Sequence, residues 1–221
     1  MSRKILIILI SFLYYIMIYG GNINLFPIHD ELKFKEFLKT YNEIIRISKK
    51  KDSKSIIKYI SENHESQYEY GKKNFNKCWD LDKNPSKSFL WKLLYETLSK
   101  GCRKDNDSFV CPYYYNKLPA DGSDSHESGL IFGENVNIRQ FPSSKSKVIG
   151  SYSYCYVDID RSKKAVEEKI GNETYSWVAV SLADGKKGYV YGKYIASGLD
   201  CRVIFEKENG KWKISYIACG D

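Results

Sequence analysis

The chain has 221 residues, of which 43% are apolar and 28% charged, and it carries a net charge of +8 at neutral pH. That length fits one large domain or two small ones, and the apolar share is enough for a core, which sets aside a wholly disordered chain. The positive balance suits a surface that meets anions such as lipid headgroups, teichoic acids or acidic peptides. The lysines are nevertheless scattered in short clusters such as Lys49–Lys51, as on any solvated face.

Arg3 and Lys4 precede an uncharged apolar run, Ile5 to Tyr19. As a helix that run reaches roughly 22 Å, short of the roughly 30 Å hydrocarbon core. A positive start followed by a short apolar run predicts a signal peptide over residues 1–21. The A-x-A cleavage pattern is missing, so an uncleaved membrane anchor is the alternative, with a buried core helix as the third reading. Setting Arg3 and Lys4 aside lowers the net charge by two, to +6.

Phe34, Phe37, Leu38, Tyr41, Ile44 and Ile45 recur at spacings of three and four, which predicts an amphipathic helix ending within Lys49–Lys51. Asp52 or Ser53 can cap a second short helix that buries Ile56, Ile57 and Ile60. Asn84-Pro85 signals the start of a third helix, striped by Phe89, Leu90, Leu93, Leu94 and Leu98, and Gly101 is placed to end it. Phe109 to Tyr115 reads as β-like. Residues 28–117 therefore form a helical α+β domain. Residues 118–129 are rich in turn formers and are read as a linker.

After Gly129 the period becomes alternating. Val136 and Ile138 fall on one face, Asn137 and Arg139 on the other. Strands follow at 147–152, 154–159 and 177–180, with a tight turn at Asp184-Gly185, then Tyr189-Val190 and Tyr194-Ile195. Residues 160–174 are charged and read as a long loop, with Glu167-Glu168 as solvated carboxylates. Many short strands argue for a small β-barrel, because closure hides strand edges. The expected core is Val136, Ile138, Val148, Val178, Val180 and Val190. Gly185 and Gly188 are expected in tight turns. Trp177 and Trp212 are expected to be buried.

Residues 200–221 form a β-hairpin about Asn209-Gly210. With that turn, Cys201 falls opposite Ala218, one residue short of Cys219, and a slight bulge would bring the two cysteines together. Cys102 and Cys111 flank the polar loop Arg103–Ser108. These two pairs are the disulfide candidates; Cys78 and Cys155 remain over. The alternative is that all six are reduced and several are buried as small apolar groups. No C-x-x-C pair occurs, which disfavours a zinc or thioredoxin-like site.

Val136-Asn137-Ile138-Arg139, Pro142-Ser143 and Val148-Ile149, followed by Trp177-Val178, Val180, Asp184-Gly185, Gly188-Tyr189-Val190 and Tyr194-Ile195, resemble the bacterial SH3 family over residues 130–198. The resemblance implies a small SH3-like barrel, used outside the cytoplasm to attach proteins to cell-wall peptides or envelope partners. The segment 158–176 is longer than that pattern, and the glycine usual before the middle strands is replaced around Tyr154-Cys155. The opening helices and the closing hairpin resemble the two ends of an NTF2-like α+β domain, which would make 28–117 discontinuous and completed by 200–221. The hairpin could instead extend the barrel.

Catalytic motifs are absent: no H-E-x-x-H, G-x-S-x-G, P-loop or GxGxxG occurs. His29, His64 and His126 fall in predicted loops or helix ends, without partners at metal-ligand spacing. The expectation is a non-enzymatic α+β binding or structural protein with no cofactor and no metal. Its place is extracytoplasmic, periplasmic or secreted, with membrane contact only through an uncleaved N-terminal segment. Tyr152, Tyr154, Tyr189 and Tyr191 are the candidate ligand-binding residues, since rings with polar tips make good contact surfaces. The expected partner is a cell-wall peptide or envelope protein, not nucleic acid. Two alternatives stand beside it: a secreted effector that binds a host protein, and an envelope enzyme using a pocket in the N-terminal domain.

Overall fold

The structure is a computed structural model that describes residues 24–66, 71–118 and 127–220. The predicted signal peptide, His126 and most of the predicted linker lie outside the described residues. Among the described residues no helix is long and apolar enough to cross a membrane. The fold is α+β, and the chain divides into two compact units. A flanking unit holds Pro27–Lys117 and Leu199–Asp221; a central unit holds Leu118–Gly198 together with the segment ending at Phe26.

The flanking unit begins with α1 (Lys35–Lys50). Its i, i+3/i+4 apolar stripe buries Phe37, Ile44 and Ile47, and Lys51 stops it in the left-handed conformation at φ 54°. The side chain of Asp52 accepts from the Ser55 amide at 3.0 Å and caps α2 (Ser53–Ile56). Ile60 does not continue that helix but opens β1 (Ile60–Ser66). After α3 (Phe75–Cys78), Pro85–Lys87 forms a separate 3-10 turn, and α4 spans Leu90–Ser99. The Asn84-Pro85 start therefore belongs to that turn and not to the helix. Asn84 donates from its side chain to Asp80, leaving no cap bond, and the Trp91 indole donates to the Pro85 carbonyl at 2.5 Å. β2 (Arg103–Asp105) and β3 (Ser108–Cys111) form a short hairpin.

The central unit contains β4 (Ser128–Ile131), β5 (Val136–Arg139), β6 (Val148–Tyr152), β7 (Tyr156–Ile159), β8 (Val166–Ile170), β9 (Glu173–Ser181), β10 (Lys187–Tyr191) and β11 (Ile195–Ser197). Their order is β11-β4-β7-β9-β10-β5-β6, with β8 paired to β9. Asn24 bridges to Cys155, and the Leu25 amide donates to the Tyr154 carbonyl. Ile131, Val136, Ile138, Cys155, Val157, Val180, Leu182 and Val190 form its core.

Several expectations are corrected here. The linker stops short of Gly129, because Ser128 and Gly129 already pair with β7. Residues 160–174 are not a plain loop: β8 and the start of β9 make a hairpin. Most of its side chains meet water, so no apolar alternation marked it. Val148 is 41% exposed. A register shift between Ile138 and Arg139 skips Ile149 in the β5–β6 ladder, and Ile149, not Val148, packs on the core. Val178 is half-buried and packs against the core, as expected. Gly185 does sit in a turn at φ 81°, but Gly188 lies inside β10. A Cβ there would come 2.6 Å from Ile138 Cγ2 and 2.7 Å from the Arg139 carbonyl, so close strand packing requires the glycine. His64 is in neither a loop nor a helix end. It is buried in β1 against Phe75, with Nδ1 3.3 Å from the Ile214 carbonyl, and burial pushes its pKa down to about 4.

β12 (Arg202–Glu208) and β13 (Lys211–Ala218) return to the flanking unit and occupy the middle of its sheet, ordered β1-β13-β12-β3-β2. β1 is parallel to β13; the other pairs are antiparallel. The helices cover one face. Phe37 stacks on Phe109 at 3.7 Å, with Phe205 and Trp212 edge-on to it. The hairpin register runs Glu208↔Lys211 to Phe205↔Ile214, then shifts by one at Ser215 to give Ile204↔Tyr216 and Arg202↔Ala218. That bulge brings Cys201 opposite Cys219, and the two form a disulfide, as do Cys102 and Cys111. Two disulfides suit an oxidising, extracytoplasmic environment. Cys78 and Cys155 are free thiols, one in each unit.

Candidate functional site

Strand alternation builds a groove on the central unit. Val136 and Ile138 enter the core, which turns Asn137 and Arg139 to the opposite face of β5. Across the ladder Arg139 is opposite Tyr189, and Tyr191 is opposite Trp177. Those four residues therefore share one face. The Trp177 and Tyr191 rings lie 5.5 Å apart, and Tyr175 meets Tyr191 edge-on at 5.4 Å. Trp177 and Tyr191 line a cavity of about 490 Å³ together with Asn135, Asn137 and Arg139 of the β5 segment and Ile170, Gly171 and Glu173 of the β8–β9 hairpin. Tyr194 and Lys193 also line it.

Two groups hold the β8–β9 hairpin at this cavity. The Tyr191 hydroxyl lies 2.9 Å from the Glu168 carbonyl and 3.0 Å from the Glu173 carbonyl, either of which can accept its proton, and it accepts from the Tyr175 amide at 3.1 Å. The Glu168 carboxylate accepts from the Ser144 amide and the Trp177 indole at 2.8 Å each, and from the Ser144 hydroxyl. Those donors, the Ser144 hydroxyl foremost, hold its carboxyl below the usual range. Glu168 is thus a clasp between β8, β9 and the 143–146 turn, and the reading of Glu167-Glu168 as a purely solvated pair fails for it. Arg139 donates one bond, from Nη1 to the Ser146 carbonyl at 2.6 Å, and Lys193 pairs with Glu173 at 2.5 Å.

The four tyrosines expected to bind are not one cluster. Tyr191 lines the groove, but its hydroxyl is spent on the hairpin. Tyr189 is half-buried on the same face. Tyr152 donates to Asp184 at 2.9 Å and accepts from Lys186, a clasp between β6 and the 183–186 turn. Tyr154 sits at φ 48° between Phe26 and Phe132. Pro142 lies in the bend between β5 and β6. The polar wall of Asn135, Asn137 and Arg139 was missed as a site although the alternation that buries Val136 and Ile138 also points it outward. Ser144, Glu168 and Lys193 gave no signal in sequence.

A cavity of about 1130 Å³ in the flanking unit is bordered by Phe34, Phe37 and Trp212 and by charged residues that pair locally: Asp105 with Arg103 and Glu36 with Lys207. Among the described residues no three His, Cys, Asp or Glu side chains are placed to hold a metal ion. The Cys155 thiol is buried, and burial pushes its pKa up to about 11.

No family model matches the chain, and comparisons with curated proteins and with solved structures found no match.

Proposed function

We propose that this is an exported, non-enzymatic binding protein whose central unit is an SH3-like module that docks an extended peptide of the cell envelope. The observation that carries the reading is the groove. An aromatic floor of Trp177 and Tyr191 lies beside Asn135, Asn137 and Arg139, a row of side-chain donors suited to the backbone carbonyls of an extended chain. The two disulfides, and Arg3 and Lys4 followed by an uncharged apolar run, support export. In the flanking unit, helices packed on a sheet whose middle strands are the C-terminal hairpin support the NTF2-like resemblance. That unit would then be the scaffold carrying the module.

The test is a pull-down of residues 22–221 on purified peptidoglycan sacculi with salt varied, alongside Asn137→Ala and Tyr194→Ala, whose side chains are exposed. Retention that survives high salt and is lost in those variants is expected. Retention that vanishes at moderate salt, or that ignores both substitutions, would overturn the peptide reading.

A further inference from the structure

Five lysines gather in one place. A depression of about 640 Å³ in the flanking unit is lined by Lys39, Lys58, Lys72, Lys211 and Lys213, with a single carboxylate, Glu36. The lysines come from α1, the 3-10 turn before β1, the turn before α3, and the β12–β13 hairpin, so tertiary folding and not a local run assembles them. Of the nearby acids, Glu36 pairs with a lysine outside the depression, Lys207, at 3.0 Å. Glu62 pairs with Lys72 of the depression itself at 2.7 Å. Glu208 accepts from the Ser61 hydroxyl and the Glu62 amide, and lies within reach of the charges of Lys72 and Lys213. The Lys213 ammonium donates to the Lys58 carbonyl. Among the described residues, Lys39, Lys58 and Lys211 have no carboxylate partner.

We infer that this depression binds a linear polymer carrying one phosphodiester per repeat. Like charges brought together around a concavity repel one another, and an anion laid among them relieves the repulsion. Ammonium groups act as compact point charges with three donors each and accept phosphate without the planar, two-pronged geometry of a guanidinium. Several cations spread around a space this large exceed what one small anion can meet, so the occupant bears repeated charges. The site is concave, which fits a chain better than a flat bilayer. Tyr59 and Trp212 border it and offer apolar contact to the carbon linkers between phosphates. This site is separate from the aromatic groove and does not depend on it.

The full chain, held in neutral detergent, is titrated with fluorescent poly(glycerol phosphate) at increasing salt. The test variant is Lys39→Gln/Lys58→Gln/Lys211→Gln. The charge-matched control is Lys163→Gln/Lys164→Gln/Lys187→Gln, exposed lysines of the central unit. With about −0.7 in the log–log salt slope for each neutralised phosphate, the four lysines not paired with a carboxylate lose about 50-fold in affinity between about 50 and about 200 mM salt, and the one left in the test variant, Lys213, loses about 3-fold. The parent and control are expected to follow the steep line and the test variant the shallow one, with circular dichroism unchanged in all three. Equal losses in test and control variants would overturn the site, because net charge alone would account for binding. Stronger competition by phosphatidylglycerol doped into the micelles than by unlabelled polymer would overturn the polymer and make a lipid surface the occupant. Equal binding of polyglutamate at the same charge concentration would overturn the phosphate specificity.

Discussion

Tyr191→Phe removes one oxygen and leaves the ring floor of the groove in place. That oxygen makes one donated bond, shared between the Glu168 and Glu173 carbonyls, and accepts one from the Tyr175 amide. Tyr191 itself is 6% exposed, but the hairpin it secures is largely open to water, so the released backbone groups regain part of their solvation. Two neutral hydrogen bonds at about 1 kcal/mol net each, discounted for that solvation, give an expected loss of about 1–2 kcal/mol. The loss should fall on local opening of residues 166–176 and not on the whole chain, because the core of the central unit is untouched. Hydrogen exchange read by mass spectrometry should show amide protection across 166–176 falling by about 5- to 30-fold, with peptides from β5 and from the flanking unit unchanged. Protection that stays at the parent level would refute the claim that this hydroxyl holds the hairpin. A uniform loss across the central unit would refute its local character.

Four further outcomes are expected. The His64 imidazole titrates near 4 when folded and near 6.5 when unfolded, so the unfolded chain binds more protons between those values. Stability should therefore fall by up to about 3 kcal/mol as pH drops from about 6.5 to about 4, and denaturant midpoints for His64→Leu should lack that component. Removing the Cys201–Cys219 bond, which spans a separation of 18 residues, should cost about 3 kcal/mol in chemical unfolding, and non-reducing peptide mapping should find Cys78 and Cys155 as the unpaired thiols. Ile138→Ala should destabilise the central unit by about 2–5 kcal/mol, while Val148→Ala should stay within about 0.5 kcal/mol, measured by thermal unfolding. Gly188→Ala should cost about 1–3 kcal/mol, since its methyl group meets Ile138 and the Arg139 carbonyl; an unchanged melting temperature would mean the two strands can part freely.

What could be read in sequence was whatever a local pattern controls. The stripe through Phe37 and Ile44, the stop near Lys51, the alternation through Val136 and Ile138 and the turn at Asn209-Gly210 all act over a few residues. So does the arithmetic that left Cys201 one position short of Cys219, and the bulge at Ser215 supplies the missing step. What escaped depends on distant partners. Val148 reads as core until the ladder skips Ile149. Glu168 reads as a solvated loop acid until Ser144 and Trp177, 24 and 9 residues away, converge on it. The five lysines of the depression are unremarkable one at a time, because they meet only when four separate segments fold together. His64 gave no sign of burial because its β1 neighbours Glu62, Asn63 and Glu65 are polar and exposed.

The placing of β12 and β13 governs when the flanking unit can form. During synthesis the residues that supply α1 through β3 emerge first, yet β1 and β3 have no contact in the sheet until the two strands between them exist. The central unit has its own strands in an unbroken stretch and can close earlier. A ribosome or a translocation channel would therefore handle residues 27–117 as an unfolded chain until residues 202–218 follow. A truncation that removes those seventeen residues would take out the centre of the sheet rather than trim its edge, and would strand α1 and α4 without a surface to cover.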